Sequence, residues 1–375
     1  MKFVFACGGT AGHINPALSV AGRIRELLPD SDFLFIGAEG KMETELVPRA
    51  GFELPAIRVS GLYRSLSPES IRHNLRAARE LAGSFAASRR ILREFRPDAV
   101  IGTGGYVCYP VLREAARMGI PTCVHESNAM PGLTTKLVAG RADAIMVGFE
   151  SAKANYRRSE RVRVTGTPVR SEFITLERDK SRRELGIDEK TPLVVSVWGS
   201  LGATEMNKTV ASAMALAMED GSYRMIHSAG QRGYESMTAY MRDTLGLSDW
   251  EQKGMDVRPY LYNMAQLMAA ADIVICRSGA STLAELTAMG KPCILVPSPN
   301  VVNDHQMKNA MVLGEAGGAV VIAEKDATAE KLHGTLRELL ADPARLERMG
   351  SVMKSMSVEN ATDEIASIVL SLAAK

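Results

Sequence analysis

Four short glycine-rich segments each follow an apolar run and precede a stretch with helical periodicity. They cover residues 8–13, 102–106, 198–203 and 277–285. Glycine allows positive φ and close approach of a ligand to the backbone, and a helix N-terminus favours bound anions. The spacing fits neither the dinucleotide fingerprint nor the P-loop. One such turn is explained about equally well by a tight turn without a ligand, but four together indicate a phosphate-handling enzyme.

Two side chains next to these turns could move a proton. His13 directly follows the glycines of the first turn, where the positive end of a helix dipole would favour a neutral ring that accepts a proton. Glu126 follows another strand, beside His125 and Asn128. It could be the base itself or could only orient His13. A histidine that merely bonds the turn is the structural alternative, so the identity of the base stays open.

The rest of the chain alternates short apolar runs with amphipathic stretches, which predicts repeated βα units. Predicted strands cover residues 2–7, 32–36, 99–102, 121–125, 144–147, 162–165, 193–197, 224–227, 256–258, 272–276, 293–296 and 319–322. Predicted helices include 16–28, 70–95 and 281–289. The fold class is therefore α/β, with two Rossmann-like, doubly wound domains. We place them at residues 1–165 and 166–345, followed by a helical segment at 346–375 that packs back on the first domain.

Composition narrows the function classes. The 375 residues suffice for two cores, and the first 165 carry a net positive charge whereas the remainder is net negative. The confined positive charge and 5% aromatic content argue against nucleic-acid binding along the whole chain. Five scattered cysteines without a C-x-x-C pair indicate a reducing compartment and no zinc site. No run reaches the length of a membrane span, so we expect a cytosolic protein that could touch a membrane.

The combined motifs are more specific than any one of them. Residues 8–13 (GGTAGH), 104–107 (GGYV), 125–128 (HESN), 131–134 (PGLT), 279–285 (GASTLAE) and 305–310 (HQMKNA) follow one another in an order and spacing similar to the MurG family of glycosyltransferases. The resemblance covers nearly the whole chain. It implies a GT-B fold, in which two Rossmann-like domains face each other across a cleft that closes on its substrates.

The resemblance also implies a reaction. It is the inverting transfer of N-acetylglucosamine from UDP-GlcNAc to the C4 hydroxyl of undecaprenyl-pyrophosphoryl-MurNAc-pentapeptide, which converts lipid I to lipid II in peptidoglycan synthesis. No metal and no cofactor are expected. The only D-x-D, Asp30-Ser31-Asp32, precedes a strand, which is the wrong end for a metal–diphosphate site. The expected place is the cytoplasmic face of the plasma membrane, as a peripheral protein.

Binding residues follow from the matching motifs. Glu285 would accept hydrogen bonds from the ribose hydroxyls, although Thr282 and Glu285 also fit the S/T-x-x-E capping box. Arg170 would meet the uracil or the diphosphate. The other donor contacts implied by the resemblance are Thr10, Ala11, Gly12, Asn128, Ser200, Leu261, Ala280, Ser281, Thr282, Leu283, Ala284 and Gln306, and His305 could share the role of Gln306. Gly104, Gly105 and Tyr106 would contact the acceptor.

Two positions depart from the family. Trp198 stands where relatives carry glycine, and an indole there could crowd the donor or stack beside it. Ala11 stands where many relatives carry glycine, which still leaves Gly9 and Gly12. Trp198 keeps one alternative open, a UDP-sugar sensor without turnover. The other alternative is a different GT-B enzyme, either a glycolipid glucosyltransferase or a UDP-GlcNAc 2-epimerase.

A basic stretch between Leu62 and Arg96 suggests a membrane face. It holds eight arginines against three acidic residues. The arginines are Arg64, Arg72, Arg76, Arg79, Arg89, Arg90, Arg93 and Arg96, and the interleaved apolar residues are Leu66, Ile71, Leu75, Leu81 and Phe85. Such a stretch suits anionic lipid, although a solvated helix with ordinary core contacts has the same pattern. A lipid-linked acceptor favours the membrane.

Overall fold

The computed structural model describes residues 1–61, 67–198, 203–301 and 304–374. The chain forms two compact units. The first unit comprises Met1–Val169 together with Asn360–Lys375, and the second unit comprises Arg170–Glu359. Each unit is built around its own parallel sheet, as the alternation of apolar runs and amphipathic stretches predicts.

The sheet of the first unit has the order β3-β2-β1-β4-β5-β6-β7, and its neighbouring strands are parallel. Its strands are β1 (Lys2–Cys7), β2 (Asp32–Ala38), β3 (Ala56–Ile57), β4 (Ala99–Gly104), β5 (Thr122–Glu126), β6 (Ala144–Val147) and β7 (Val162–Val164). Strand β3 has only two residues, too few to show an alternating or continuous apolar pattern, and the sequence did not predict it. The strand order reverses between β1 and β4, which makes the ends of these two strands a topological switch point.

Helices cover both faces of this sheet. They are α1 (Ala11–Leu27), α2 (Glu43–Arg49), α3 (Pro68–Phe95), α4 (Cys108–Arg117) and α5 (Leu133–Ala139). Helix α1 begins five residues before the expected start at Pro16, which lies inside the helix. Proline is common at the first helical position, but Pro16 is the sixth residue of α1, so this signal placed the start too late.

The second unit repeats the arrangement with the sheet order β10-β9-β8-β11-β12-β13. Its strands are β8 (Leu193–Val197), β9 (Arg224–Ser228), β10 (Met255–Arg258), β11 (Ile273–Cys276), β12 (Cys293–Leu295) and β13 (Ala319–Val321). Its helices are α6 (Glu172–Thr175), α7 (Arg178–Glu184), α8 (Thr204–Asp220), α9 (Tyr234–Ala239), α10 (Met264–Ala270), α11 (Ala280–Met289), α12 (His305–Glu315), α13 (Ala329–Leu340) and α14 (Pro343–Ser355). The switch point lies between β8 and β11.

The last helix, α15 (Ala361–Ala373), belongs to the first unit. Its buried face, with Ile365 and Val369, joins the core formed by β1 and α1, and Asp363 pairs with Arg23 at 2.5 Å. Helix α14 instead stays with the second unit, where Lys354 donates to the Ala288 carbonyl at 2.9 Å. The single helical segment expected at 346–375 is therefore wrong in its extent. Periodicity shows that a helix has an apolar face but not which core receives that face.

The boundary between the units also differs from the expected position after Thr165. Strand β7 ends at Val164, and Thr165 still donates its amide hydrogen to the Val147 carbonyl at 3.1 Å. The Gly166 carbonyl accepts from His125 Nε2 at 2.8 Å. These long-range hydrogen bonds keep residues 165–169 in the first unit, and the second unit begins at Arg170.

Candidate active site

The glycine turns lie at the two switch points. In the first unit residues 8–13 follow β1 and residues 104–106 follow β4, and the Gly8 amide donates to the Gly104 carbonyl at 3.2 Å. In the second unit residues 277–285 follow β11, beside the end of β8. Residues 199–202, which include the predicted donor contact Ser200, lie outside the described part of the chain. In open α/β sheets, the carboxyl ends of strands next to a switch point are where ligands bind.

His13 lies in the first turn of α1, with its ring packed against the second glycine turn. Its Nδ1 lies 2.9 Å from the Gly8 carbonyl oxygen. A Cβ on Gly104 would lie 2.4 Å from His13 Cδ2, so only glycine leaves room for the ring there. The Thr103 hydroxyl donates to the His13 carbonyl at 2.6 Å, which ties α1 to the end of β4.

The contact of His13 Nδ1 with the Gly8 carbonyl oxygen fixes which ring nitrogen carries the proton. A carbonyl oxygen can only accept a hydrogen bond, so Nδ1 must be the donor. In the neutral ring the lone pair then lies on Nε2. A neutral imidazole with its lone pair on a defined nitrogen is the form that a general base requires.

The turn after β4 has no room for side chains. Gly104 and Gly105 have φ of 122° and 93°, in the region that favours glycine, and a Cβ on Gly105 would lie 2.3 Å from the Gly8 oxygen. Cys108 Sγ, at the start of α4, lies 3.0 Å from both the Ala6 and the Gly104 carbonyl oxygens. Tyr106 is 55% exposed and packs over Gly61. These contacts hold the predicted acceptor residues beside His13.

Glu126 ends β5 and is buried, with both carboxylate oxygens engaged. Oε1 accepts from the backbone amide of Asn128 at 3.0 Å and from its side-chain amide at 2.9 Å. Oε2 accepts from the Gly132 amide at 2.9 Å and from the Thr135 hydroxyl at 2.7 Å. A carboxylate has about four lone-pair sites, so these four donors use its capacity. The arrangement suits an anchor for residues 127–135 better than a base.

Helix α11 carries the predicted diphosphate contacts on its first turn. Its N-cap is Gly279, and its first i→i−4 bond runs from the Leu283 amide to the Gly279 carbonyl at 3.0 Å. The amides of Ala280, Ser281 and Thr282 therefore precede the ladder of helix hydrogen bonds and lie at the positive end of the helix dipole. Leu283 is buried, so its side chain serves the core, whereas Ala284 is half-buried.

The same start of α11 decides between the two interpretations of Glu285. A capping box needs Ser or Thr at the N-cap and Glu at the third helical position. Thr282 is itself the third residue of the helix, and Glu285 is the sixth. The capping box is therefore wrong, and Glu285 does not serve the helix start.

Glu285 has an unusual environment for a carboxylate. Burial raises its pKa to about 7, an effect that Arg170 opposes and Glu172 adds to. The Arg170 side chain is about half exposed, pairs with Glu172 at 2.7 Å and lies over the Phe173 ring at 5.0 Å. The structure thus brings Arg170 and Glu285 into one electrostatic environment. A carboxyl with a raised pKa in the helix that follows a switch-point strand is a candidate binding or catalytic group.

Two hydrogen bonds hold Gln306, another predicted donor contact, in the second unit. Gln306 Oε1 accepts from the Ser298 amide at 2.8 Å, and its carbonyl accepts from the buried Ser278 hydroxyl at 2.7 Å. These bonds tie α12, which begins at His305, to the loop after β11. Leu261, also a predicted donor contact, is 3% exposed and lies between the exposed Tyr260 and Tyr262.

Trp198 does not occupy the site in the way the sequence suggested. Trp198 is 4% exposed and belongs to the core of the second unit. The Arg277 guanidinium lies over the Trp198 ring, 5.3 Å from its centroid. Arg277 in turn donates to the Val296 carbonyl at 2.9 Å. The expectation that the indole would crowd the donor or stack beside it is therefore wrong, because the ring turns inward and fills the core.

Sequence reasoning missed one residue of the site, Glu43. It begins α2 and is fully buried. Its Oε2 accepts from the Gly9 amide at 2.9 Å, and its Oε1 accepts from the Ala38 amide at 2.9 Å. No glycine turn or strand end marks Glu43 in the sequence. The one available signal was an acidic residue that follows the second strand of a Rossmann-like unit.

The basic stretch presents two kinds of surface on α3. Ile71 and Leu75 are 50% and 65% exposed. Leu81 packs against the core, and Phe85 stacks edge-on against Tyr109 at 5.7 Å, so these two are not part of an exposed apolar face. The exposed arginines of α3 and its end are Arg72, Arg76, Arg79, Arg90, Arg93 and Arg96. Leu62, Arg64 and Leu66 lie outside the described residues.

Two further observations concern the sequence expectations. All five cysteines are buried and free. Within the described residues, no helix combines the length and the apolar character needed to cross a bilayer.

Comparison with known proteins relates both units to one family of glycosyltransferases. The glycosyltransferase family 28 N-terminal domain matches residues 3–147, and the glycosyltransferase family 28 C-terminal domain matches residues 193–365. The crystal structure of MurG from Acinetobacter baumannii superposes with a TM-score of 0.75 at 24% identity, over 99% of both chains. The predicted α/β fold with two parallel-sheet domains, of the GT-B type, is confirmed.

Sequence relatives extend over the full length. A protein of Acetivibrio thermocellus is 41% identical over 98% of this chain and 97% of its own, and one of Desulforudis audaxviator is 40% identical over 100% and 99%. Both are named UDP-N-acetylglucosamine–N-acetylmuramyl-(pentapeptide) pyrophosphoryl-undecaprenol N-acetylglucosamine transferase. The chain therefore belongs to glycosyltransferase family 28 and is a glycosyltransferase.

Proposed function

We propose that this chain transfers N-acetylglucosamine from UDP-GlcNAc to the C4 hydroxyl of undecaprenyl-pyrophosphoryl-MurNAc-pentapeptide, the step from lipid I to lipid II in peptidoglycan synthesis. The names of the full-length relatives support the two substrates. The single structural observation that carries the chemistry is the contact of His13 Nδ1 with the Gly8 carbonyl, because it leaves the lone pair of the neutral ring on Nε2.

In this reaction His13 Nε2 takes the proton of the acceptor hydroxyl as its oxygen attacks C1 of the donor sugar. The bond from that oxygen to C1 forms, and the bond from C1 to the UDP oxygen breaks with its electron pair on the leaving diphosphate. A single displacement inverts the configuration at C1. The first unit contributes the base, and Gly104, Gly105 and Tyr106 beside it hold the acceptor.

The second unit binds the donor nucleotide. The amides at the start of α11 and the dipole of this helix stabilise the negative charge that grows on the diphosphate. Arg170 adds a full positive charge in the environment of Glu285. Glu285 accepts hydrogen bonds from the ribose hydroxyls, since it has no part in capping the helix. These groups can stabilise the leaving group without a metal ion.

We assign Glu126 to positioning rather than to proton transfer. Its four hydrogen bonds hold Asn128 and the start of α5, and Asn128 is a predicted contact of the donor sugar. His13 therefore takes the role of base that the sequence left open between the two residues.

The acceptor carries a polyprenyl chain, so the protein must meet a membrane. Ile71 and Leu75 offer exposed apolar side chains on α3, flanked by Arg72, Arg76 and Arg79. Each cation near an anionic surface contributes about 1 kcal/mol. We place the protein on the cytoplasmic face of the plasma membrane, bound peripherally to anionic lipid.

The test is UDP release from UDP-GlcNAc, measured in EDTA with and without the lipid-linked muramoyl acceptor. The wild type should release UDP only with the acceptor, and His13→Ala should lower the rate by about 100-fold or more. His333→Gln is the matched control, because His333 bonds the Tyr223 hydroxyl in the second unit and has no part in the reaction.

Other outcomes point to the alternatives. UDP release without the acceptor would replace the proposal with an epimerase or a hydrolase, and binding without release would indicate a sensor. Loss of activity in EDTA that added Mg²⁺ restores would overturn the metal-independent mechanism. Full activity of His13→Ala would remove His13 as the base.

A further inference from the structure

Glu43 takes no direct part in the proton transfer, yet it is a fully buried carboxylate next to the first glycine turn. It is fully buried at the start of α2, 30 residues after His13 in the chain. A buried carboxylate is costly unless its oxygens receive hydrogen bonds. Here both oxygens accept from backbone amides, those of Gly9 and Ala38, each at 2.9 Å.

The Gly9 amide that Glu43 binds belongs to the same peptide group as the Gly8 carbonyl that His13 binds. A peptide group is planar, so its N–H and its C=O point in opposite directions and turn together. Glu43 Oε2 holds the N–H end at 2.9 Å, and His13 Nδ1 donates to the C=O end at 2.9 Å. Carboxylate, peptide and imidazole therefore form one continuous chain of hydrogen bonds.

The peptide between them joins two glycines, so its own side chains do not restrict its orientation. Gly9 has a φ of 88°, and both flanking residues are glycines, which rotate more freely than other residues. Gly8 also packs directly on the carboxylate, because a Cβ there would lie 2.2 Å from Glu43 Oε1. A rotation of this peptide would turn its N–H towards His13 Nδ1 and would favour the tautomer with the proton on Nε2.

We infer that Glu43 is a positioning residue for the transfer reaction: by holding the Gly8–Gly9 peptide it fixes His13 in the tautomer whose Nε2 can accept the acceptor's proton. The negative charge of the carboxylate also polarises the peptide, which strengthens the hydrogen bond that the Gly8 oxygen accepts. The role corresponds to that of a carboxylate that orients a catalytic histidine directly, but here a peptide group lies between the two side chains. The inference rests on the proposed function only for its effect on rate.

The direct measurement is the tautomer of His13, read from the ¹⁵N chemical shifts of its ring in labelled protein and assigned with His13→Gln. The chain has six histidines, so the assignment is tractable. The neutral ring in the wild type should carry its proton on Nδ1. A proton on Nε2 in the wild type would overturn the inference without recourse to any variant.

Glu43→Gln tests the coupling. The amide has one accepting oxygen and an NH₂ group, so it cannot accept from both Gly9 and Ala38. We expect the Nε2-protonated tautomer to appear and kcat to fall by about 100-fold. The KM for UDP-GlcNAc should change less than twofold, because the nucleotide binds the second unit and Asn128, the proposed contact of the donor sugar, is held by Glu126 rather than by Glu43. The matched control is Glu45→Gln on the same helix, whose carboxylate is exposed and pairs with Arg49 at 2.8 Å.

A second variant guards against a folding defect. Gly8→Ala keeps the carboxylate but displaces it, and it should produce the same change of tautomer and the same loss of kcat. If Glu43→Gln or Gly8→Ala folds and behaves like Glu45→Gln in both readouts, the inference is wrong. If His13→Ala proves fully active while Glu43→Gln still shifts the tautomer, the role of His13 as base fails and the positioning by Glu43 stands.

Discussion

The carboxylate of Glu126 binds Asn128 twice, accepting from its backbone amide at 3.0 Å and from its side-chain amide at 2.9 Å on the same oxygen. The side chain of Asn128 is thereby oriented by a buried charge rather than left to a loop. This pairing makes Glu126 part of the framework that holds Asn128, the proposed contact of the donor sugar, and it has consequences that separate positioning from catalysis.

Glu126→Gln should raise the KM for UDP-GlcNAc by roughly 10-fold. The reason is that Asn128 and its neighbours would lose about one hydrogen bond to a charged acceptor, which would leave the Asn128 side chain less well oriented. A base would show the opposite pattern, a fall in kcat with KM unchanged. Steady-state kinetics at saturating acceptor distinguishes the two. Glu69→Gln, at the exposed start of α3, is the control and should change neither constant. A loss confined to kcat would return Glu126 to the role of base.

Glu285 should make donor affinity depend on pH. Burial raises its pKa to about 7, so the free protein holds the proton below that pH. Ribose hydroxyls donate to the ionised form, and affinity for UDP-GlcNAc should therefore rise as the pH increases from 6 to 7 and level off above 8. In Glu285→Gln this component should vanish. Calorimetric titrations at several pH values measure it, and parallel profiles of the two proteins would contradict the assignment.

The same group affects stability with the opposite trend. Since its pKa in the folded state lies above the ordinary value of about 4.5, the folded protein binds this proton more tightly than the unfolded chain between pH 4.5 and 7. The Glu285 contribution to the free energy of unfolding should fall as the pH rises through that range. Comparison of unfolding midpoints of wild type and Glu285→Gln at pH 5 and 8 checks the sign.

Trp198→Gly, which installs the family's residue, should destabilise the second unit. The indole fills the core beneath Arg277, and loss of a buried aromatic side chain costs about 3–5 kcal/mol. We expect a lower unfolding temperature in circular dichroism and unchanged affinity for UDP-GlcNAc at a temperature where the protein is folded. Tighter donor binding without loss of stability would show that the indole crowds the donor after all. Trp198→Phe, which keeps a ring, should lose less stability.

Gly104→Ala should lower kcat by about 100-fold, because its Cβ would lie 2.4 Å from the His13 ring and its φ of 122° disfavours any other residue. The control is Gly83→Ala on α3, where a Cβ would meet nothing within 4 Å and alanine favours the helix by about 1 kcal/mol. Gly104→Ala should therefore lower both the rate of UDP release and the unfolding temperature. Gly83→Ala should leave the rate unchanged and should not lower the unfolding temperature. Equal activity of both would mean that the ring position does not matter.

The membrane face is tested by liposome sedimentation. Replacing Arg72, Arg76 and Arg79 together by glutamine should weaken binding to anionic vesicles by about 100-fold at low salt, at about 1 kcal/mol per cation. Leu75→Gln should weaken binding even at high salt, since it removes apolar contact. The control is Leu27→Gln, which replaces an exposed leucine on α1 and should leave vesicle binding unchanged. Wild-type binding by all variants would remove α3 from the membrane contact.

The sequence by itself determined most of the strands and helices and singled out the turns where ligands are proposed to bind. Buried parallel strands are continuous apolar runs, so β1, β4, β8 and β11 could be predicted from the sequence. The glycines after β1, β4 and β11 likewise mark their turns in the sequence without knowledge of any neighbouring element. His13 and Glu126 could be singled out for the same reason, because His13 closes the glycine turn after β1 and Glu126 lies at the end of β5. These features are local, and local patterns suffice for them.

Only the tertiary structure decided what those residues contact. Glu43 meets Gly9 across 34 positions of sequence, and Trp198 turns into a core built from other strands and helices. Periodicity could not tell that α15 joins the first unit, nor that Thr282 lies inside α11 rather than at its cap. Burial and hydrogen-bond partners depend on where distant elements come to lie, and that information is absent from any single stretch of the chain.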